Sequence, residues 1–143
     1  MEQVQKAAFY ISDYYFEKVI LDVNNNPNSD ELSVSFLTSG EYNRHDKSYD
    51  LRFTVDVGDE GTNQSKDIFV SVSCVGKFIF DNVNSISEIP EFFYVNSIAL
   101  LFPYVRAYIS LITTQANTKG VILPTLNLSS LGEELKRNTT EVI

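Results

Sequence analysis

The sequence predicts an α+β protein, because two kinds of hydrophobic periodicity divide the chain. Its first eighty residues alternate apolar and polar side chains with a period of two, and the remainder carries helical spacing. The 143 residues suit one ordinary domain. We therefore predict a single domain over residues 1–143, with an ordered core at about 8–138.

Four strands account for the first part of the chain. Alternation is strict at residues 49–57, and it recurs at 32–36 and 68–80. Residues 9–23 are rich in β-branched and aromatic side chains, which predicts a further strand. The turns between these segments are too short for parallel crossovers, so we expect an antiparallel meander of four strands.

Helices account for the second part. Apolar residues of a predicted helix at 98–118 form two adjoining stripes, with Pro103 either in the first turn or at a kink: Ile98, Leu101, Val105, Ile109 and Ile112; and Tyr104, Tyr108 and Leu111. One sheet cannot cover both stripes. Ser130 and Glu133 have the spacing of a capping box that opens a short last helix, and residues 136–143 are expected to fray.

Charge and cysteine content indicate a cytoplasmic protein. Arg106 is the only charged residue between positions 91 and 119, but with Pro103 it lies near the middle of that segment and disfavours a membrane span. The single cysteine, Cys74, cannot form an intrachain disulfide, and no apolar leader follows a basic start. The net charge of −8 makes nucleic acid a poor partner.

The side chains that support catalysis or metal binding are sparse. His45 stands alone in a polar stretch, Cys74 falls on the apolar face of its strand, and the six glycines stand singly. We therefore predict no enzyme activity, no metal and no cofactor. The function that the remaining apolar surface favours is a groove that holds the apolar side chains of another chain. Two alternatives stay open: a small α+β enzyme or ligand-binding protein, and a purely structural oligomer.

Two motifs carry a family resemblance. The chain reads LFPYVR at residues 101–106 and LPTLNL at 123–128, and further agreement lies at residues 76–78 and in the strand that follows Glu31. Their order and separation resemble SecB, the family of bacterial protein-export chaperones. The resemblance covers about residues 9–135.

The resemblance implies a four-stranded antiparallel sheet with the long and short helices on one side. It also implies a dimer of dimers and ATP-independent binding of non-native polypeptides, which many family members pass to the SecA motor. The matched client-binding positions are Leu32, Val34, Phe36, Tyr104, Leu131 and Leu135. The matched oligomer positions, where the long helices meet, are Val105, Tyr108, Ile109 and Ile112.

The SecA-docking surface is where this sequence departs from the family pattern. Ser71, with Phe69 beside it, stands where the family often carries an acid, and Lys18 stands at a second acidic position, although Asp22 is retained nearby. The C-terminal tail is short and not strongly acidic. Some SecB-like proteins protect an antitoxin or another dedicated client, which is the alternative to a role in export.

Overall fold

The computed structural model describes residues 8–27, 32–59 and 67–142, and within them the predicted α+β architecture is confirmed. The strands are β1 (Phe9–Leu21), β2 (Leu32–Asn43), β3 (Ser48–Asp59), β4 (Ile68–Phe80) and β5 (Thr139–Val142). The α-helices are α1 (Glu91–Gln115) and α2 (Leu128–Arg137). The sheet has five strands in the order β1-β4-β3-β2-β5, so the predicted number of four is one too low.

The order of the strands departs from the predicted meander at β1. Strands β2, β3 and β4 are consecutive neighbours, but β1 pairs antiparallel with β4 at the far edge and not with β2. Three strand spacings of about 4.8 Å separate β1 from β2, and ten residues of chain can reach about 33 Å. The connection at residues 22–31 is therefore long enough to cross the end of the sheet.

The two faces of the sheet differ sharply. Apolar side chains of β3 and β4 point toward the helices, where Leu51, Phe53, Val72 and Phe78 are fully buried. On β2, Thr38 occupies the same face, and its neighbour Leu37 is 57% exposed on the other. The side of the sheet away from the helices is thus the open one.

Helix α1 begins seven residues earlier than predicted, after Pro90, and continues through Pro103. It ends before Asn117, whose φ of 63° is the left-handed conformation of a helix C-terminus. Its length and composition would allow a membrane crossing. One side of it, including Ile98 and Leu101, is fully buried in the core.

Helix α2 and the tail correct two predictions. The Oδ1 atom of Asn127 accepts a hydrogen bond from the backbone N–H of Ser130 at 3.2 Å, so Asn127 caps a helix that begins at Leu128 and the predicted capping box is wrong. The tail is not frayed through residue 142, because β5 pairs in parallel with residues 40–43 of β2.

Candidate binding groove

A row of partly buried apolar side chains follows β2 on the helix side of the sheet. Leu32, Val34 and Phe36 alternate with exposed serines and pack against the core without being enclosed by it. Phe102 of α1 contacts Phe36, and three further partly buried residues lie in α2 and the loop before it: Leu126, Leu128 and Leu131. We call these seven residues the groove.

Aromatic contacts fix the floor of the groove. The ring centroid of Phe36 lies 5.9 Å from that of Phe53 and 6.4 Å from that of Phe102, the latter at an interplanar angle of 70°. Phe102 also meets Phe53 edge to face at 6.1 Å. The tilted contact with Phe53 and the edge-to-face contact with Phe102 hold Phe36 in place while leaving part of its surface open to solvent.

A pocket continues the groove beyond Leu32. It has a volume of about 190 Å³, and its lining consists of these residues: Asn26, Pro27, Leu32, Phe69, Lys119, Gly120, Val121 and Ile122. Ser110 and Thr113 of α1 hold this wall by hydrogen bonds to the carbonyl and amide of Val121, at 2.6 and 3.0 Å. Ile122 is 72% exposed at the rim. The pocket can take one apolar side chain.

The wall formed by α2 is anchored to β2 by polar contacts. The hydroxyl of Thr38 donates to the carboxylate of Glu134 at 2.9 Å, and the backbone N–H of Thr38 donates to the same oxygen at 3.2 Å. Leu131 lies one helical turn away and is partly buried, as a groove residue would be. Leu135 is fully buried. Its predicted contact with a client is therefore not available on the surface of the single chain.

Tyr104 lies elsewhere. Its ring stacks on that of Tyr14 in β1, with centroids 4.3 Å apart. Because β1 and β2 are at opposite sides of the β4-β3 pair, Tyr104 does not line the groove with Phe36. The prediction grouped the two residues from a sequence match, which carries no information on which flank of α1 each side chain occupies.

The predicted oligomer positions split into two groups. Val105 and Ile109 are fully buried against the sheet of their own chain, so neither presents a surface to another subunit. Tyr108 and Ile112 are partly buried, and the ring of Tyr108 stacks on Phe16 at 4.0 Å. The exposed apolar residues beside them on α1 form what we call the outer stripe: Leu100, Tyr104 and Leu111.

The predicted SecA-docking residues also occupy different environments. Phe69 is fully buried because it is the extra residue of a β-bulge between β3 and β4, which corrects its expected place on the surface. Ser71 faces the open side of the sheet and donates its hydroxyl proton to Asp56. Asp22 caps a single 3₁₀ turn, where its Oδ1 accepts from the N–H of Asn24 at 3.0 Å.

The remaining candidate groups for chemistry are not among the groove residues. Burial raises the pKa of the Cys74 thiol to about 12, and the side chain is fully enclosed. His45 is exposed in the turn between β2 and β3. In the described part of the chain, no three His, Cys, Asp or Glu side chains lie close enough together to hold a metal ion.

Sequence reasoning missed three groove residues and one residue of the outer stripe, Leu100. Phe102 lies inside the LFPYVR motif, and Leu126 and Leu128 lie inside LPTLNL. The motifs themselves were thus a signal for the groove. Leu100 and Leu111 have a spacing of eleven residues, which returns to the same helix face after about three turns.

Comparisons with known proteins agree with this architecture. The family model described as preprotein translocase subunit SecB matches residues 1–138. An uncharacterized protein of Methanocaldococcus jannaschii, MJ0357, is 32% identical over 148 residues, which cover 99% of this chain and 95% of the relative.

A solved structure has a similar fold. It is the Mycobacterium tuberculosis SecB-like chaperone Rv1957 in complex with a ChAD peptide from the antitoxin HigA1. The TM-score is 0.64 at 13% identity, and the match covers 84% of this chain and 91% of that one. Since the family model spans nearly the whole sequence, the chain belongs to the SecB family.

Proposed function

We propose that this protein is a chaperone that holds non-native polypeptides in the groove without nucleotide. The observation that carries the proposal is the exposure of Leu32, Val34 and Phe36, whose side chains rest on a packed core and stay open on the opposite side. Folded client proteins bury most side chains of this type. A chain that has not folded presents them, and the groove offers them an apolar surface.

Energetics favour several weak contacts over one strong pocket. Burial of one Leu or Phe of a client contributes roughly 1.5 to 3 kcal/mol. Association itself costs an estimated 4 to 15 kcal/mol, so one pocket cannot retain a chain. Repeated grooves on several subunits convert later contacts into intramolecular ones. Broad recognition of apolar segments follows from this arrangement without a fixed sequence requirement.

We propose that the working assembly is a homotetramer, a dimer of dimers in which the α1 helices meet. The outer stripe supplies exposed apolar surface on α1, beside the partly buried Tyr108 and Ile112. A charge of −8 on each subunit would keep such particles apart in solution and would favour basic clients. This role places the protein in the cytoplasm, where nascent chains are available.

Two client classes remain in the proposal, a broad set of exported proteins and one dedicated client. The neighbour Rv1957 was solved with an antitoxin peptide, which supports the dedicated form. The burial of Phe69 and the hydrogen bond from Ser71 to Asp56 give no support to docking of SecA at these positions. Co-purification from the native cell distinguishes the two classes, because a dedicated chaperone yields one abundant client.

The test is aggregation of a denatured model protein, such as urea-unfolded citrate synthase diluted into buffer without nucleotide. We expect the protein to suppress light scattering when it is in excess. Val34→Ser, in the groove, should weaken suppression several-fold. Leu37→Ser is the matched control, because Leu37 is on the same strand but faces the open side of the sheet. Unchanged scattering with the unmodified protein would refute the proposal.

A further inference from the structure

The chain's own C-terminal segment occupies the outer edge of β2 in the second half of that strand. β5 pairs in parallel with the end of β2, and the N–H of Gly40 donates to the carbonyl of Asn138 at 3.2 Å. Two residues earlier on β2, the carbonyl of Thr38 accepts a hydrogen bond from the Asn138 side chain at 2.9 Å. We call residues 138–142, which make these contacts, the latch.

The latch begins where the groove ends. The groove residues of β2 are Leu32, Val34 and Phe36, and the next residue on the same face is Thr38, which is fully buried. Its carbonyl is held by the latch, and its N–H donates to the side chain of Glu134 in α2. A client that follows the groove along β2 therefore meets the chain's own tail directly after the last groove residue.

Surface contacts hold the far end of the latch. β5 has four residues, its pairing with β2 is parallel, and Val142 is 42% exposed. The ion pair of Arg44 with Glu141 lies on the surface, where the Arg44 side chain is 65% exposed, and exposed ion pairs stabilise a structure little. Short terminal strands of this kind open at a low free energy while the rest of the sheet stays folded.

The helix before the latch is fixed independently of it. Leu135 of α2 is fully buried, and Gly132 lies so close to α1 that a Cβ there would meet the side chain of Val95. The Glu134 carboxylate reaches Thr38 through a flexible side chain, which can turn aside without movement of the helix. Release of the latch can therefore leave α2, and the groove wall that it forms, in place.

We propose that the latch is an autoinhibitory contact, in which the tail occupies the part of β2 that a long client would use. While the latch is bound, clients are limited to the groove and to the pocket beyond Leu32. When it leaves, the backbone groups of residues 38–43 become available, and main-chain hydrogen bonds accept an extended segment of any sequence. The inference rests on the proposed function and adds the regulation of that site.

The competition between tail and client depends on client length. The tail is tethered to α2, so its effective concentration at β2 is high, and a short segment in solution cannot displace it. A long client that is already held in the groove presents its next residues at a comparable effective concentration. The latch therefore selects for long non-native segments over short ones.

A reversible disulfide tests the latch within one protein. Glu41 and Thr140 lie opposite each other in the parallel pair and are both exposed, so Glu41→Cys with Thr140→Cys places two thiols across it. The probes are fluorescein-labelled peptides of six and twelve residues, in which Val, Phe and Leu alternate with Ser between terminal lysines. By fluorescence anisotropy, we expect the long peptide to bind the oxidised protein at least fivefold more weakly than the reduced protein, and the short peptide to bind both within twofold.

A variant that releases the latch should have the opposite effect. The register opposite Gly40 points the N–H of Thr140 toward β2, so Thr140→Pro removes a donor of the pairing, and Thr140→Ala is the matched loss of side chain. We expect faster amide exchange at Gly40 in Thr140→Pro. The long peptide should bind this variant at least fivefold more tightly than Thr140→Ala, and the short peptide within twofold. If Thr140→Pro does not fold, the disulfide decides.

Equal effects on the two peptides, or no effect of the disulfide on the long one, would overturn autoinhibition and leave the proposed function intact. If neither peptide binds and aggregation of urea-unfolded citrate synthase is also unaffected, both proposals are wrong.

Discussion

Phe36 of β2 meets Phe102 of α1 edge to face, with ring centroids 6.4 Å apart at 70°. This contact joins the next-to-edge strand of the sheet to the long helix at the floor of the groove. Phe36 is partly buried, so the same ring that packs inward also presents apolar surface outward.

Phe36→Ala should strongly reduce the suppression of client aggregation and only moderately lower the free energy of unfolding. Truncation of a fully buried Phe to Ala lowers the free energy of unfolding by about 3 to 5 kcal/mol. Because Phe36 is only partly buried, we expect a smaller loss. Urea denaturation measures the stability, and suppression of light scattering measures the binding. Leu37→Ala, on the open face, should leave suppression unchanged. An equal loss of suppression in the two variants would contradict a role for the groove in client binding.

Leu111→Asp should reduce the size of the assembly. Leu111 is 54% exposed on the outer stripe, so a carboxylate there costs the single chain little but would be desolvated in an interface between α1 helices. Static light scattering should give about four times 16.2 kDa for the unmodified protein and a smaller mass for the variant. Leu37→Asp is the control for added charge. A monomeric unmodified protein would contradict the assembly.

Tyr49→Phe should loosen β5 selectively. The phenol oxygen of Tyr49 lies 2.5 Å from the Oγ1 of Thr139, and the ring passes directly over Gly40, where a Cβ would meet that oxygen. Loss of this hydrogen bond should lower the free energy of unfolding by about 0.5 to 1.5 kcal/mol. Faster amide exchange at residues 139–142 with little change in β3 is the expected result. Uniform exchange across the sheet would indicate a global effect.

The thiol of Cys74 should report global unfolding. It is fully buried, and burial raises its pKa to about 12, so at pH 8 the native thiol is both inaccessible and almost entirely protonated. Modification by Ellman's reagent should be slow in buffer and complete within the mixing time in concentrated urea. Because Cys74 is the only cysteine in the sequence, the signal is unambiguous. Rapid reaction in buffer would place this strand outside the stable core.

Much of the fold could be predicted because its elements carry strong local patterns. The alternation at residues 49–57 reappears as five fully buried side chains of β3. The strand β5 could not be predicted in this way, because Thr139–Val142 is short and gains its partners only after α2 has placed it beside Gly40. The pairing of β1 with β4 could not be predicted from local patterns either, since it depends on contacts between residues far apart in the sequence.

The candidate site was predicted in part, and the errors have separate causes. Alternation on a strand assigns a face directly, so Leu32, Val34 and Phe36 were correctly placed together on one face of β2. On α1, the family resemblance matched Val105 and Ile109 to oligomer positions, but the structure buries both against the sheet of their own chain. Phe69 was misplaced for a different reason, since a β-bulge turns its side chain toward the core.

Site-specific photocrosslinking tests the groove most directly. Benzoylphenylalanine is placed either at position 36 or at position 37. These positions are adjacent in sequence, but their side chains lie on opposite faces of β2. With urea-unfolded citrate synthase added, position 36 should give abundant crosslinked client and position 37 little. Equal crosslinking at the two positions, or none at position 36 while aggregation is still suppressed, would place client binding elsewhere.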